Sequence, residues 1–78
     1  MFSKELFGQR ILEQRKKHND TQSGLGELLG VRKTHISEIE RGNRTTSAER
    51  IMLICERYQV SADYLLGLTD DPTPYNRK

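Results

Sequence analysis

Arg32, Lys33, Thr34, Ser37 and Glu38 bring a guanidinium, an ammonium, two hydroxyls and a carboxylate into one short stretch of chain. No neighbour among them would turn a hydroxyl into a nucleophile or pair two carboxylates for acid–base work. The set therefore reads as hydrogen-bonding and charge chemistry rather than bond-making. Other reactive residue types add no centre. Cys55 is the only cysteine and lacks an activating neighbour in sequence. His18 has no histidine or cysteine at metal-ligand spacing. No catalysis, metal, cofactor or small-molecule substrate is expected.

These residues need a helix to share a face. Ile36 and Ile39, at i and i+3, turn inward and leave Lys33, Thr34, Ser37 and Glu38 on the opposite side of a helix over about 33–41. Before it, Thr21 caps a helix over 22–29 whose apolar face is Leu25, Leu28 and Leu29. Gly30 closes that helix and Val31 turns inward across the corner. Gly24 and Gly26 each cost about 1 kcal/mol there relative to alanine. Close approach of a neighbour would explain Gly26; nothing in the sequence explains Gly24.

A first helix is predicted over 4–17, with Phe7 and Ile11 inward and Arg10, Glu13 and Lys17 outward. Asn19 suits a left-handed cap after it. Ser47 caps a fourth helix carrying Ala48, Ile51, Ile54, Cys55 and Tyr58 toward the core. Ser61 caps a fifth, anchored by Leu65 and Leu66 and stopped by Gly67. The expectation is an all-α domain over 1–69, with 70–78 as a mobile tail containing both prolines.

Two short helices joined by a tight turn, the second with an outward basic and hydroxyl face, form a helix-turn-helix. In that motif the second helix enters the DNA major groove. Lys33 then suits guanine O6/N7, the Thr34 methyl can touch thymine, Ser37 is a further base-reading candidate, and Arg32 reaches either a base or a phosphate. Glu38 either accepts from cytosine N4 or restrains Arg41 or another basic group. Thr21, Gln22, His35, Arg41, Asn43 and Arg44 are candidate phosphate contacts, the alternative for His35 being an exposed histidine without a role. The starts of both helices add their own attraction for phosphate.

Size and charge agree with this reading. A chain of 78 residues builds one small domain, with little core to spare for a deep pocket. Residues 1–44 carry nine Lys/Arg against six acids, and 45–78 four against five, so the basic side coincides with the helix-turn-helix. A lone cysteine, a charged amino-terminal stretch and the lack of a long apolar run suggest a cytoplasmic protein, with no membrane partner.

Thr21-Gln22, Leu25, Leu29-Gly30-Val31, Ile36-Ser37, Ile39-Glu40-Arg41-Gly42 and the later stretch 60–67, VSADYLLG, resemble the lambda-repressor-like, Cro/XRE-type family over about residues 7–68. The resemblance implies five short helices and a dimeric repressor on a two-fold operator. It also implies that Gln22 contacts a phosphate and that Arg15 and Glu40 pair to tie helix 1 to the end of helix 3. Three departures stand out: Arg32 replaces the usual Ser or Thr cap, Thr46 a frequent proline, and Gly24 a better helix former. Leu53, Tyr64 and Leu68 form a possible dimer patch. Antitoxin or controller roles with a regulatory protein partner, or an adaptor role on the same fold, are the alternatives. No inducer-binding domain is expected.

Overall fold

The computed structural model describes residues 1–74. Among them lie five helices and no strand: α1 (Lys4–Lys17), α2 (Gln22–Leu29), α3 (Lys33–Glu40), α4 (Ala48–Tyr58) and α5 (Ala62–Leu66). Four of the five starts are capped by a hydroxyl, as Ser3, Thr21, Ser47 and Ser61 each accept the amide of the residue three positions on. The exception is α3, whose cap residue Arg32 makes no side-chain capping hydrogen bond.

Four of the five ends follow one pattern. After α2, Gly30 takes the left-handed region at φ 71°, its amide bonds Glu27 O, and Val31 N bonds Gly26 O. This closure satisfies carbonyls that the helix leaves unpaired and reverses the chain into α3. The same pair of bonds closes α1 at Asn19 (φ 55°), α3 at Gly42 and α5 at Gly67.

Each helix contributes apolar residues to one core: Phe7 and Ile11, Leu25 and Leu29, Ile36 and Ile39, Ile54 and Tyr58, then Leu65, with Val60 joining from the loop before α5. Leu28, Val31, Ile51, Cys55 and Leu66 pack around this centre half-buried. Ala48, expected inward, is exposed; it lies in the first turn of α4, beyond the reach of the core. Burial pushes the Cys55 thiol up, which makes it a packing residue rather than a reactive one.

Two close approaches fix how the helices cross. A Cβ on Gly8 would lie 2.0 Å from Ile39 O, so α1 reaches the last turn of α3 only because residue 8 has no side chain. A Cβ on Gly26 would lie 2.8 Å from Val31 O, which accounts for that glycine in the bend between α2 and α3.

Arg10 departs from the expected outward position. Its guanidinium donates to Tyr64 O, to Thr69 O at 2.7 Å and to Asp70 Oδ1 at 2.7 Å, while lying 4.2 Å from the Tyr64 ring centroid. Carbonyls at the end of α5 and just beyond it need donors that no apolar residue of the stripe could supply. Ser61 N also bonds Pro72 O at 3.0 Å, so residues 70–72 of the expected mobile tail are tied to the domain. Residues 75–78 of that tail lie outside the described residues. Among the described residues, no helix is long and apolar enough to cross a membrane.

Candidate nucleic-acid interface

Ile36 and Ile39 are each 1% exposed, and they hold α3 against the core by its inner face alone. Arg32, Lys33 and Thr34 are consequently exposed, with Ser37 and Glu38 half-buried beside them. These five residues share the outer face and leading edge of α3. Around them, Thr21, Arg41, Asn43 and Arg44 are exposed and Gln22 is half-buried.

The second end of this surface is the start of α2. Arg15, Asp20, Thr21, Gln22, Ser23 and Lys33 line an open depression of about 570 Å³. Thr21 Oγ1 accepts the Gly24 amide at 2.8 Å, which fixes the hydroxyl at the helix start and leaves its O–H to donate outward. Gln22 Nε2 donates to Glu40 Oε1 at 2.9 Å, which holds the glutamine against the end of α3.

Glu40 in turn is gripped by Arg15, with Nε donating to Oε2 at 2.7 Å and Nη2 to Oε1 at 3.0 Å. The Glu40 side chain is 5% exposed and that of Arg15 12%. Hydrogen bonding to Glu40 raises the Arg15 pKa further, against the opposing effect of burial. A third donor, Arg15 Nη1, reaches Asp20 O at 2.9 Å. One guanidinium thus joins α1, the α1–α2 turn and the end of α3.

Glu38 pairs with Arg44 at 3.0 Å on the surface, both about half exposed. Of the two roles weighed for Glu38, restraint of a basic group is the one with a partner in the free protein, and that group is Arg44 rather than Arg41. His35 is half-buried, its Nε2 enclosed without a hydrogen-bond partner. Burial lowers its pKa first, and the positive charges of Arg44 and Arg50 lower it further. At neutral pH it is therefore an uncharged, half-buried side chain rather than the exposed histidine weighed as the alternative.

Of the proposed dimer patch, Leu68 is 75% exposed, whereas Leu53 and Tyr64 pack partly against the core and the Tyr64 ring is covered by Arg10.

Several functional supports carry no local signal. Arg50 Nε donates to Leu29 O at 3.2 Å, anchoring the end of α2 from α4. Tyr58 OH donates to Asp20 Oδ2 at 2.8 Å, and Arg57 Nη2 reaches the same oxygen at 3.0 Å. Burial, then the bond to Asp20, pushes the Tyr58 hydroxyl well up, so it remains a donor. Gly24 is explained here as well: a Cβ would lie 2.6 Å from Asp20 Oδ1 and 3.2 Å from Thr21 Oγ1.

A family model described as Helix-turn-helix (HTH_3) matches residues 11–65. The chain belongs to the helix-turn-helix family. An uncharacterized HTH-type transcriptional regulator of Bacillus subtilis, YobD, is 35% identical over 69 residues, which are 88% of this chain and 62% of that protein. Repressor protein C2 of Salmonella phage P22 is 37% identical over 62 residues, 80% of this chain but 29% of the repressor. The chain therefore spans under two thirds of these two relatives. The crystal structure of the P22 c2 repressor with a synthetic operator aligns with a TM-score of 0.71 at 37% identity, covering 77% of this chain and 91% of that one. This helix-turn-helix domain has the lambda-repressor-like five-helix fold that the sequence pattern implies.

Proposed function

We propose that this chain is a sequence-specific DNA-binding transcriptional regulator of repressor type, non-catalytic, without a cofactor and cytoplasmic, acting as a homodimer. Helix α3 enters the major groove. The observation that carries this reading is the exposure of Arg32, Lys33 and Thr34 on a helix held rigidly from behind. Arg32 and Lys33 read guanine, Thr34 packs on a thymine methyl, and Ser37 adjusts to the base it meets. Glu38 accepts from a cytosine amino group only if Arg44 turns away to the DNA backbone. Thr21, Gln22, Arg41, Asn43 and Arg44 set register on the phosphates, with the amides at the start of α2.

Reach supports a dimer. The domain measures 34 × 27 × 22 Å and would carry one recognition helix. Successive major-groove half-sites on one face of DNA are about 34 Å apart, so a two-fold operator would take one copy per half-site. Leu68 is the exposed member of the Leu53, Tyr64 and Leu68 patch that would meet the second copy.

Binding-site selection from random duplex DNA tests the proposal, with wild type and a Lys33→Ala/Ser37→Ala variant. A two-fold symmetric site selected by wild type and lost in the variant is the expected result. With six to ten phosphate contacts, affinity should fall about 10³–10⁵-fold between 50 and 200 mM salt. No enrichment, or a flat salt response, would sink the reading and direct attention to a protein partner.

A further inference from the structure

Among the described residues, Asp20 is the only carboxylate lining the depression at the start of α2. It stands immediately before the cap residue Thr21, and its side chain is 10% exposed. A fixed negative charge therefore sits where the proposed function brings a DNA phosphate. Unbalanced, it would oppose the attraction of the helix start and of Lys33.

The structure balances it from behind. Arg57 and Tyr58, in the last turn of α4, both engage Oδ2, at 3.0 and 2.8 Å. The other oxygen, Oδ1, faces α2 through the gap left by Gly24. The Asp20 carbonyl accepts from Arg15, the residue that also grips Glu40 and through it Gln22. Asp20 is thus a hinge point between α4 and the phosphate-facing end of α2.

We infer that Arg57 and Tyr58 are positioning residues for DNA binding, setting the affinity of the α2 phosphate site by neutralising and pinning Asp20. The inference rests on the proposed function and extends it to a helix that holds none of the proposed DNA contacts. Arg57, at 40% side-chain exposure, can be changed without opening the core.

A double-mutant cycle on the selected operator duplex tests this, using full-length wild type, Arg57→Gln, Asp20→Asn and the combination. Thermal melting of each variant confirms that it is folded at the assay temperature. Tyr58→Phe serves as a second probe of the same oxygen. Arg57→Gln should weaken binding about three- to tenfold at low salt, as expected for one unbalanced charge near a phosphate, with the gap closing as salt rises. In the Asp20→Asn background the same change should alter affinity by less than about twofold, because the charge it answers is gone. Tyr58→Phe should weaken binding in the wild-type background and much less in Asp20→Asn.

Equal loss from Arg57→Gln in both backgrounds would mean that Arg57 acts on DNA directly, and would overturn the inference. So would an unchanged affinity in Arg57→Gln. If wild type binds and Lys33→Ala/Ser37→Ala does not, the DNA reading stands and the cycle alone decides. If wild type binds no duplex, both fall together.

Discussion

Arg15 and Glu40 meet in a two-pronged ion pair, Nε to Oε2 at 2.7 Å and Nη2 to Oε1 at 3.0 Å, across the junction of α1 with the end of α3. Such a pair adds little over a well-packed apolar substitute, but removing one partner strands a charge. Arg15→Ala leaves Glu40, whose side chain is 5% exposed in the intact domain, with the Gln22 amide as its remaining side-chain donor among the described residues. The expected loss is about 3 kcal/mol, the lower end for a broken buried pair. For a domain of this size that lowers Tm by about 12–24 °C. Affinity for operator DNA should fall too, since Gln22 and the end of α3 lose a common anchor. Calorimetry decides the first point; an unchanged Tm would show that the pair is not formed in solution.

Gly8→Ala sets two effects of opposite sign against each other. Alanine improves helix propensity by about 1 kcal/mol in the interior of α1. The new methyl, however, would meet the backbone carbonyl of Ile39 at 2.0 Å, and backbone cannot swing aside as a side chain can. Overpacking of this kind costs about 1–3 kcal/mol or more, and α1 would have to lift from α3 to relieve it. The balance is a destabilised protein, by about 2 kcal/mol in a urea titration. A more stable Gly8→Ala variant would contradict the packing of α1 on α3.

The elements were legible in the sequence because their signals are local. Thr21, Ser47 and Ser61 mark starts, Asn19, Gly30, Gly42 and Gly67 mark ends, and Ile36 with Ile39 fix which side of α3 faces out. What escaped depends on where a particular side chain is aimed, which spacing and propensity do not give. Arg10 reads as a surface cation from its place beside the apolar stripe, yet 54 residues later Tyr64 offers a carbonyl that needs it. Gly24 looks like a poor helix former until Asp20 is seen leaning over it. The charge count shares this blindness. Arg10, Arg15 and Arg50 all donate to main-chain carbonyls, so they serve the fold before they serve any ligand. The basic face rests instead on Arg32, Lys33, Arg41 and Arg44.

The Arg10 contacts make a pair of unequal predictions. Arg10→Ala removes the donors to Tyr64 and Thr69 together with the cover over the Tyr64 ring, so it should destabilise the fold by about 2–3 kcal/mol. It should also speed amide exchange at Leu68, whose amide bonds Asp63 O at 2.8 Å in the closure that Arg10 holds down. Asp70→Asn touches only a fully exposed carboxylate at the rim of the same cluster and should leave Tm unchanged within error. Equal effects from the two substitutions would mean that the ion pair, not the carbonyl contacts, holds the segment.

His35 makes stability depend on pH near neutrality. Its folded-state pKa lies below the ordinary imidazole value of about 6.5, because burial and the charges of Arg44 and Arg50 disfavour the imidazolium more than Glu38 favours it. In acid the unfolded chain therefore takes up the proton before the folded one does. By linkage, the contribution of His35 is intact above about pH 6.5 and is lost as pH falls through the lowered folded value. Urea midpoints measured from pH 7.5 down to 5.0 should fall in wild type. In His35→Gln, which cannot titrate, the curve should be flatter over the same interval, whatever its absolute stability. Parallel curves would show that His35 is solvated in solution and that the fall comes from other groups. Protonation would also place a third positive charge beside Arg44 and Arg50, so the loop after α3 should loosen over the same pH range.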